Sequence, residues 1–351
     1  METKTSLASP FVVPVFLPHA GCPHRCVFCN QRSTTGQEES LPSVNAVRRT
    51  IREFLAHRKE RTRRTEISFY GGNFLGLSPE LISLLLATAT AFVQSGEADG
   101  IRFSTRPDTI DAPRMKLIAR FPVTTVELGV QSMNDAVLRQ SQRGHTAQAV
   151  REAVALLRRR PYALGLQMMV GLPGDAPATA LATARQIADL GPDFVRIYPT
   201  LVLRGSLLAS QHARGEYEPL TLEAAVALVA DIYQIFHRHD IAVARMGLQA
   251  GPELAPDADL VAGPFHPAFG EMVQSALWLD AISRHLEKEG LQGGEVVLEA
   301  PARLLSQIKG QKDFNLLDLL QRHQLRSLEV QANPALAEDT LRINGQTCSR
   351  W

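Results

Sequence analysis

Short apolar runs alternate with longer amphipathic stretches through the first two-thirds of the chain. The runs at 11–17, Ile67–Tyr70, Ile101–Thr105, Thr125–Val130, Ala163–Val170 and Phe194–Pro199 read as strands. Between them, 44–58, 79–95, 111–120, 134–159, 177–190 and 221–238 carry helical periodicity. Pro79 and Pro113 stand where a first helical turn accepts proline, and Thr146-Ala-Gln148 opens a run with Val150, Val154 and Leu157 on one face. Six β–α alternations predict a parallel sheet with helices packed outside it. Right-handed crossovers curl such a sheet toward a barrel, and six units leave it incomplete. The expected class is α/β: a partial (β/α)6 TIM-like barrel over 1–245, with a small C-terminal α+β extension over 246–351. In the extension, 266–287 predicts a helix with Phe269, Met272, Val273, Ala276 and Leu277 at helical spacing. Strands are expected at Glu295–Leu298 and 326–331, with helices at 301–308 and 313–322 between them. In barrels of this kind the chemistry sits at the C-terminal ends of the strands.

Composition narrows the function classes. The 351 residues carry a formal net charge of +1, so no global field calls for nucleic acid or an acidic membrane. The strongest charge block, His57-Arg-Lys-Glu-Arg-Thr-Arg-Arg64, reads first as a solvated helix end and second as an RNA-facing patch. No stretch approaches the length of a membrane span. The apolar run 10–17 is short and holds two prolines, which suits a buried strand better than a leader. Four cysteines, three of them clustered, do not make a disulfide framework, and a reducing cytoplasmic setting is expected.

The cluster is Gly21-Cys-Pro-His-Arg-Cys-Val-Phe-Cys-Asn30, with Cys22, Cys26 and Cys29 in C-x3-C-x2-C spacing after the first strand. Thiolates on every iron close an iron–sulfur cluster; three on a 4Fe–4S cube would leave one iron open to a ligand. Two other readings are a zinc site with His24 as fourth ligand and three unrelated thiols. Zinc sites usually show two separated ligand pairs, and no second pair exists here. Phe28, between the second and third cysteines, could shield the group or pack on a neighbouring ligand.

Together with Phe69-Tyr-Gly-Gly-Asn73 after the second strand, this motif resembles the radical S-adenosylmethionine superfamily over roughly residues 10–245. Thr105-Arg-Pro-Asp108, Val126-Glu-Leu-Gly-Val-Gln-Ser132, Arg143-Gly-His-Thr146 and Val195-Arg-Ile-Tyr-Pro-Thr-Leu-Val202 extend the likeness to the radical half of the Elongator catalytic subunit and its bacterial relatives. More distantly the chain is similar to oxygen-independent coproporphyrinogen oxidase. The resemblance implies a 4Fe–4S cluster on the three cysteines and S-adenosylmethionine on its open iron. Reductive cleavage would give a 5′-deoxyadenosyl radical that abstracts hydrogen from a substrate.

The same resemblance implies cofactor contacts. Gly71 and Gly72 would let backbone approach the methionine ammonium, and Asn73, where relatives carry an acid or Thr, would orient the cofactor. Ser104 replaces a frequent Glu and leaves that contact in doubt. Gln131 and Arg143 align with residues that meet the cofactor, Arg143 through the methionine carboxylate. Gln167 stands where some relatives place Asp for the ribose, and Gly171-Leu-Pro-Gly174 would line the adenine side. Phe16, Met168 and Met169 read as core; Arg106 reads as structural and Arg196 as pointing into the barrel. His266 reads as a helix cap before a substrate ligand, and Cys348 as a free thiol in a frayed tail. No catalytic residue is assigned beyond the cluster, and no acetyl-coenzyme A phosphate loop follows, so acetyl transfer is not implied. The implied partners are S-adenosylmethionine, an electron donor such as flavodoxin or ferredoxin, and tRNA or another RNA. The alternatives are a tetrapyrrole or small-molecule radical reaction, or a non-catalytic cluster- or haem-binding relative.

Overall fold

The structure is a computed structural model and describes residues 10–17, 19–23, 25–30, 41–58, 63–248, 259–337 and 339–351. His24 and residues 59–62 of the basic run at 57–64 lie outside the described residues. All six expected strands form: β1 (Phe11–Leu17), β2 (Thr65–Gly71), β3 (Gly100–Thr105), β4 (Val123–Gln131), β5 (Ala163–Val170) and β6 (Phe194–Pro199). A short pair follows, β7 (Val202–Leu203) with β9 (Leu260–Ala262), and between them comes β8 (Ala242–Met246).

The main sheet runs β1-β2-β3-β4-β5-β6-β8, every pairing parallel. It is the curled, open sheet of a partial TIM-like barrel, one strand longer than expected. β8 was not legible because it is five residues long, with Arg245 interrupting its apolar positions. The central strands are buried on both faces: in β4, Val126, Leu128 and Val130 are fully buried on one face, and Thr125 (1% exposed) and Glu127 (0%) on the other.

Helices at Val44–Ala56, Pro79–Gln94, Ala112–Ile118 and Pro177–Asp189 follow their strands. Ser43, Ser78 and Asp111 cap three of these starts, their side chains accepting from Ala46, Leu81 and Arg114 N–H. The helix expected over 134–159 is two: Asp135–Gln140 and Ala147–Leu157. Left-handed backbone at Gln142 (φ 51°) and Gly144 (φ 73°) ends the first, and Thr146 caps the second by accepting from Ala149 N–H. The break lifts Arg143 and His145 out of a helix and into a strand-end loop.

The chain divides into two compact units, one comprising residues up to Thr221 with Ile235–Pro264, the other Leu222–Gln234 with Phe265–Trp351. Helix Leu222–Arg238 contributes to both. In the second unit, helix Phe269–Lys288 packs with a sheet of order β11-β10-β12-β13: β10 is Glu295–Ala300, β11 Ser327–Ala332, β12 Leu341–Ile343 and β13 Gln346–Cys348. Its core gathers Trp278, Ile282, Leu286, Leu298, Ile308 and Ile343. The closing hairpin corrects one expectation. Cys348 is not in a frayed tail: it is 3% exposed, in this core, because β13 turns it inward toward helix Phe269–Lys288. Burial pushes its thiol up to about 11. Among the described residues, no helix is long and apolar enough to cross a membrane.

Candidate functional site

The cysteine loop leaves β1 through two left-handed residues, His19 (φ 52°) and Gly21 (φ 71°). Cys22 N–H donates to His19 O at 3.2 Å and Cys29 N–H to Cys26 O at 3.0 Å. The loop interlocks with the segment after β2. A Cβ on Gly72 would lie 2.7 Å from Ala20 N and 2.8 Å from Leu17 O, and one on Gly21 would lie 2.8 Å from Gly76 C and Leu77 N. The glycines are therefore required by backbone packed on backbone, before any ligand arrives.

Asn73 fastens the two segments. Its Nδ2 donates to Gly21 O at 2.9 Å; its Oδ1 accepts from Thr105 Oγ1 at 2.7 Å, Arg106 N at 3.0 Å and Thr109 Oγ1 at 3.0 Å. The carboxamide is fully buried and occupied within the protein, so it holds the loop and has no acceptor capacity to offer a cofactor.

The ends of β3 and β4 bring two arginines to the loop. Arg143 Nη1 donates to Cys26 Sγ at 3.2 Å and Nη2 to Gly129 O at 2.6 Å. Arg106 makes a bidentate pair with Asp108 (2.9 and 3.0 Å) and donates to Arg143 O. Burial and the neighbouring Cys26 push the Cys22 thiol up, while the Arg106 and Arg143 charges oppose that rise. Gly129 has no side chain to block Gln131 and Arg143: a Cβ there would meet Gln131 Nε2 at 3.1 Å and Arg143 Nη2 at 3.2 Å. Gln131 closes β4 in the left-handed region (φ 68°), at a break in the β4–β5 register. Strained non-glycine backbone of this kind clusters at functional sites. Around this cradle Gln131 Oε1, Arg143 Nε, Arg106 Nη1 and His145 Nδ1 are buried without a hydrogen-bond partner. Burial, with Arg143 and Arg106 nearby, pushes His145 down to about 3, leaving a neutral ring whose Nε2 donates to Val130 O at 3.2 Å.

A second polar cluster lies across β2–β6. Glu127 is fully buried: Oε1 accepts from Tyr70 OH at 3.0 Å and pairs with Arg102 Nη1 at 3.2 Å. Its Oε2 pairs with Arg196 Nε at 2.8 Å and accepts from Gln167 Nε2 at 2.8 Å. Arg102 Nη2 also pairs with Glu66 Oε2 at 2.7 Å, while Glu66 Oε1 accepts from Thr124 (2.9 Å) and Thr125 (2.8 Å). Burial, then the Glu127 charge, pushes the Tyr70 phenol up to about 12.

The structure thus brings Cys22, Cys26, Gln131 and Arg143 to one cradle and locks Gly72 and Asn73 under it. Ser104 lines a small hollow with Leu17, Ala20, Tyr70 and Gly72. Phe28 packs on Val27, Val202 and Leu208. Gln167 points into the Glu127 network. The sequence reading missed Glu66, Arg102 and Glu127. Their signal was present: one charge in each of three adjacent apolar strands is costly unless paired, which predicts a network. Among the described residues, no three His, Cys, Asp or Glu side chains converge closely enough to hold a single ion. Three thiols on one short loop are soft donors of the kind that suits iron–sulfur clusters.

Comparison with known proteins adds to this geometry. The model of the Radical SAM superfamily matches residues 16–187, and that of the Radical_SAM C-terminal domain matches 192–278. A tRNA uridine(34) acetyltransferase of Dehalococcoides mccartyi is 27% identical over 243 residues, covering 60% of this chain and 53% of that protein. Protein YhcC of Escherichia coli K12 is 24% identical over 253 residues, covering 66% of this chain and 79% of YhcC. Among solved structures, the Methanocaldococcus infernus Elp3 with an N-terminal deletion shares the fold, with a TM-score of 0.60 at 22% identity. The match covers 82% of this chain and 65% of that one. The chain therefore spans about half the length of the acetyltransferase it matches.

Proposed function

We propose, from the premise that the chain belongs to the radical S-adenosylmethionine superfamily, that Cys22, Cys26 and Cys29 hold a 4Fe–4S cluster whose open iron takes S-adenosylmethionine. When bound, the cluster would supply the electron that cleaves the cofactor to a 5′-deoxyadenosyl radical. We assign this chemistry to residues 1–245 and treat 246–351 as an extension to it. The observation that carries the reading is the cradle: Arg143 lies 3.2 Å from Cys26 Sγ, with its own Nε and the neighbouring Gln131 Oε1 buried and unpartnered. A guanidinium there suits the methionine carboxylate, and the Gln131 carbonyl suits the ammonium or a ribose hydroxyl. Gly72 and Asn73 fix the cysteine loop against the end of β2, and Ser104 and Tyr70 line the hollow beside it.

The substrate class we infer is RNA, tRNA in particular. The support is likeness to a protein named for tRNA uridine modification, of which this chain spans 53%. The electron would come from a reduced partner of the flavodoxin or ferredoxin type.

The experiment is anaerobic reconstitution with iron and sulfide, then dithionite and S-adenosylmethionine. The chain should gain the broad visible absorption of a thiolate-bound iron–sulfur centre and form 5′-deoxyadenosine. Cys26→Ala should abolish both. Absence of both signals in the wild type would refute the proposal, and full cleavage by Cys26→Ala would refute the ligand assignment.

A further inference from the structure

The second unit contains a surface that cofactor chemistry does not use. Between β10 and its parallel neighbour β11 the chain forms two short helices, Leu305–Lys309 and Phe314–Arg322, joined by Gly310-Gln-Lys-Asp313. β11 is an edge strand of its sheet. The turn is held firmly from beneath. Gly310 has φ 73°, and a Cβ there would stand 2.9 Å from Asn315 Oδ1. Asn315, buried at 3% exposure, donates through Nδ2 to Ser275 O at 2.9 Å and Ile308 O at 3.1 Å, closing the end of the first helix. Above that clamp Lys312 (φ 52°) and Asp313 (φ 59°) are both left-handed, although neither is glycine.

Next to the turn, Phe314 and Leu317 are each 62% exposed, one helical turn apart. In the segment 303–326, Arg303 pairs with Asp339 at 3.2 Å and Arg322 with Asp318 at 2.9 Å, which leaves Lys309, Lys312 and Arg326 against Asp313, so an anionic partner fits better than a cationic one. A rigid glycine-started turn between two helices, an apolar strip beside it, lysines at its ends and a free sheet edge together match a known physical solution. KH modules clamp the backbone of single-stranded RNA with a Gly-x-x-Gly loop between two helices, leaving the bases to lie on apolar side chains. This chain departs from that pattern in having Asp313 at the second glycine position. Asp313 nevertheless adopts the left-handed backbone that glycine favours.

We propose that the helix–turn–helix Leu305–Arg322, with edge strand β11, is a docking surface for single-stranded RNA. Gly310–Asp313 hold the sugar–phosphate backbone, and Phe314 and Leu317 receive the bases. The inference rests on the RNA reading of the substrate above and gives that RNA a place to bind in the second unit.

The test is fluorescence anisotropy on the full chain with a short labelled single-stranded RNA and with the same RNA as a duplex, over a range of salt. The single strand should bind more tightly, with an affinity that falls as salt rises. Replacing two exposed residues together, Gln311→Asp with Lys312→Asp, should weaken binding by about tenfold or more through lost phosphate contact and added repulsion. Thermal melts of the variant should match wild type. Asp313→Gly should tighten binding, since it removes a carboxylate from the phosphate path. Wild-type binding that favours the duplex, or a double variant that binds as wild type does, overturns the proposal. Formation of 5′-deoxyadenosine without RNA should be unchanged in the double variant. A chain that cleaves the cofactor while its turn variants bind RNA normally loses this inference and keeps the proposed chemistry. One that binds RNA through the turn without forming 5′-deoxyadenosine does the reverse.

Discussion

Glu127 and Gln131 sit four residues apart on β4, and their side-chain oxygens meet opposite surroundings. Both oxygens of Glu127 are occupied, by Tyr70, Arg102, Arg196 and Gln167. Gln131 Oε1 is buried with no partner, beside Arg143 Nε and Arg106 Nη1 in the same condition. In the first region opposite charges face one another, Arg102 and Arg196 on Glu127 and Arg102 on Glu66, although Arg102 Nε itself has no hydrogen-bond partner. In the second, the unpartnered atoms are a neutral carbonyl beside two guanidinium nitrogens, with no carboxylate on Gln131 or Arg143 among the described residues. Buried polar groups are costly when unpaired, so a fold tolerates several at one place only where something compensates. Buried charges that face opposite charges hold the sheet, and a carbonyl and guanidinium left together without an anion mark where a ligand could complete them. The Glu127 network should therefore behave as structure under mutation, and the cradle as a binding site.

The largest effect should come from Glu127→Ala. It strands Arg102 and Arg196 in a buried setting, and breaking a buried pair from one side costs about 3–5 kcal/mol. Denaturant unfolding should show that loss before any cofactor is added. A loss below about 1 kcal/mol would mean that water reaches the network and the contrast with the cradle is false.

His145 gives a pH test on the cradle side. Its folded value, about 3, lies below the ordinary 6.5 because burial and the Arg143 and Arg106 charges oppose protonation. Between those values the unfolded chain binds a proton that the folded chain does not. The stability from the neutral ring is therefore fully present above pH 6.5 and is lost as pH falls toward 3. The ceiling is a few kcal/mol at about 1.4 kcal/mol per unit. Urea titrations at pH 7 and pH 4.5 should show less acid loss for His145→Asn than for wild type. An equal acid loss in both would show that the ring is not held neutral.

The sequence made the strands legible because parallel strands buried on both faces read as unbroken apolar runs. It did not reveal β8, where Arg245 interrupts a short strand, nor the hairpin β12–β13, whose strands are three residues each. The helix expected over 134–159 hid the most informative loop: apolar spacing on either side was joined across Ser141–Thr146, which has no apolar residue of its own and where left-handed Gln142 and Gly144 end the helix. At the candidate site, the cysteine spacing was visible because the three cysteines are neighbours in sequence. The role of Asn73 was not, because its partners Gly21, Thr105 and Thr109 come from three separate segments. Glu127 was overlooked for a similar reason: its partners Arg102 and Arg196 lie on other strands, and the pairing appears only once register is known.

The smallest expected effect on stability has the opposite sign and separates the two regions most sharply. Gln131 is non-glycine backbone at φ 68°, a conformation costing about 1–2 kcal/mol for an L residue, and it buries an unpaired acceptor. Gln131→Gly removes both costs and adds back about 0.5–1 kcal/mol of chain entropy. Unfolding should therefore show no loss and up to about 2 kcal/mol gained, although the side chain removed is mostly buried. The cluster-loaded variant should meanwhile bind S-adenosylmethionine more weakly than wild type in a calorimetric titration. Such a trade is what a site maintained against the stability of its own fold predicts. A Gln131→Gly chain that loses more than about 1 kcal/mol would place Gln131 with Glu127, as structure, and remove the physical ground for reading the cradle as a binding site.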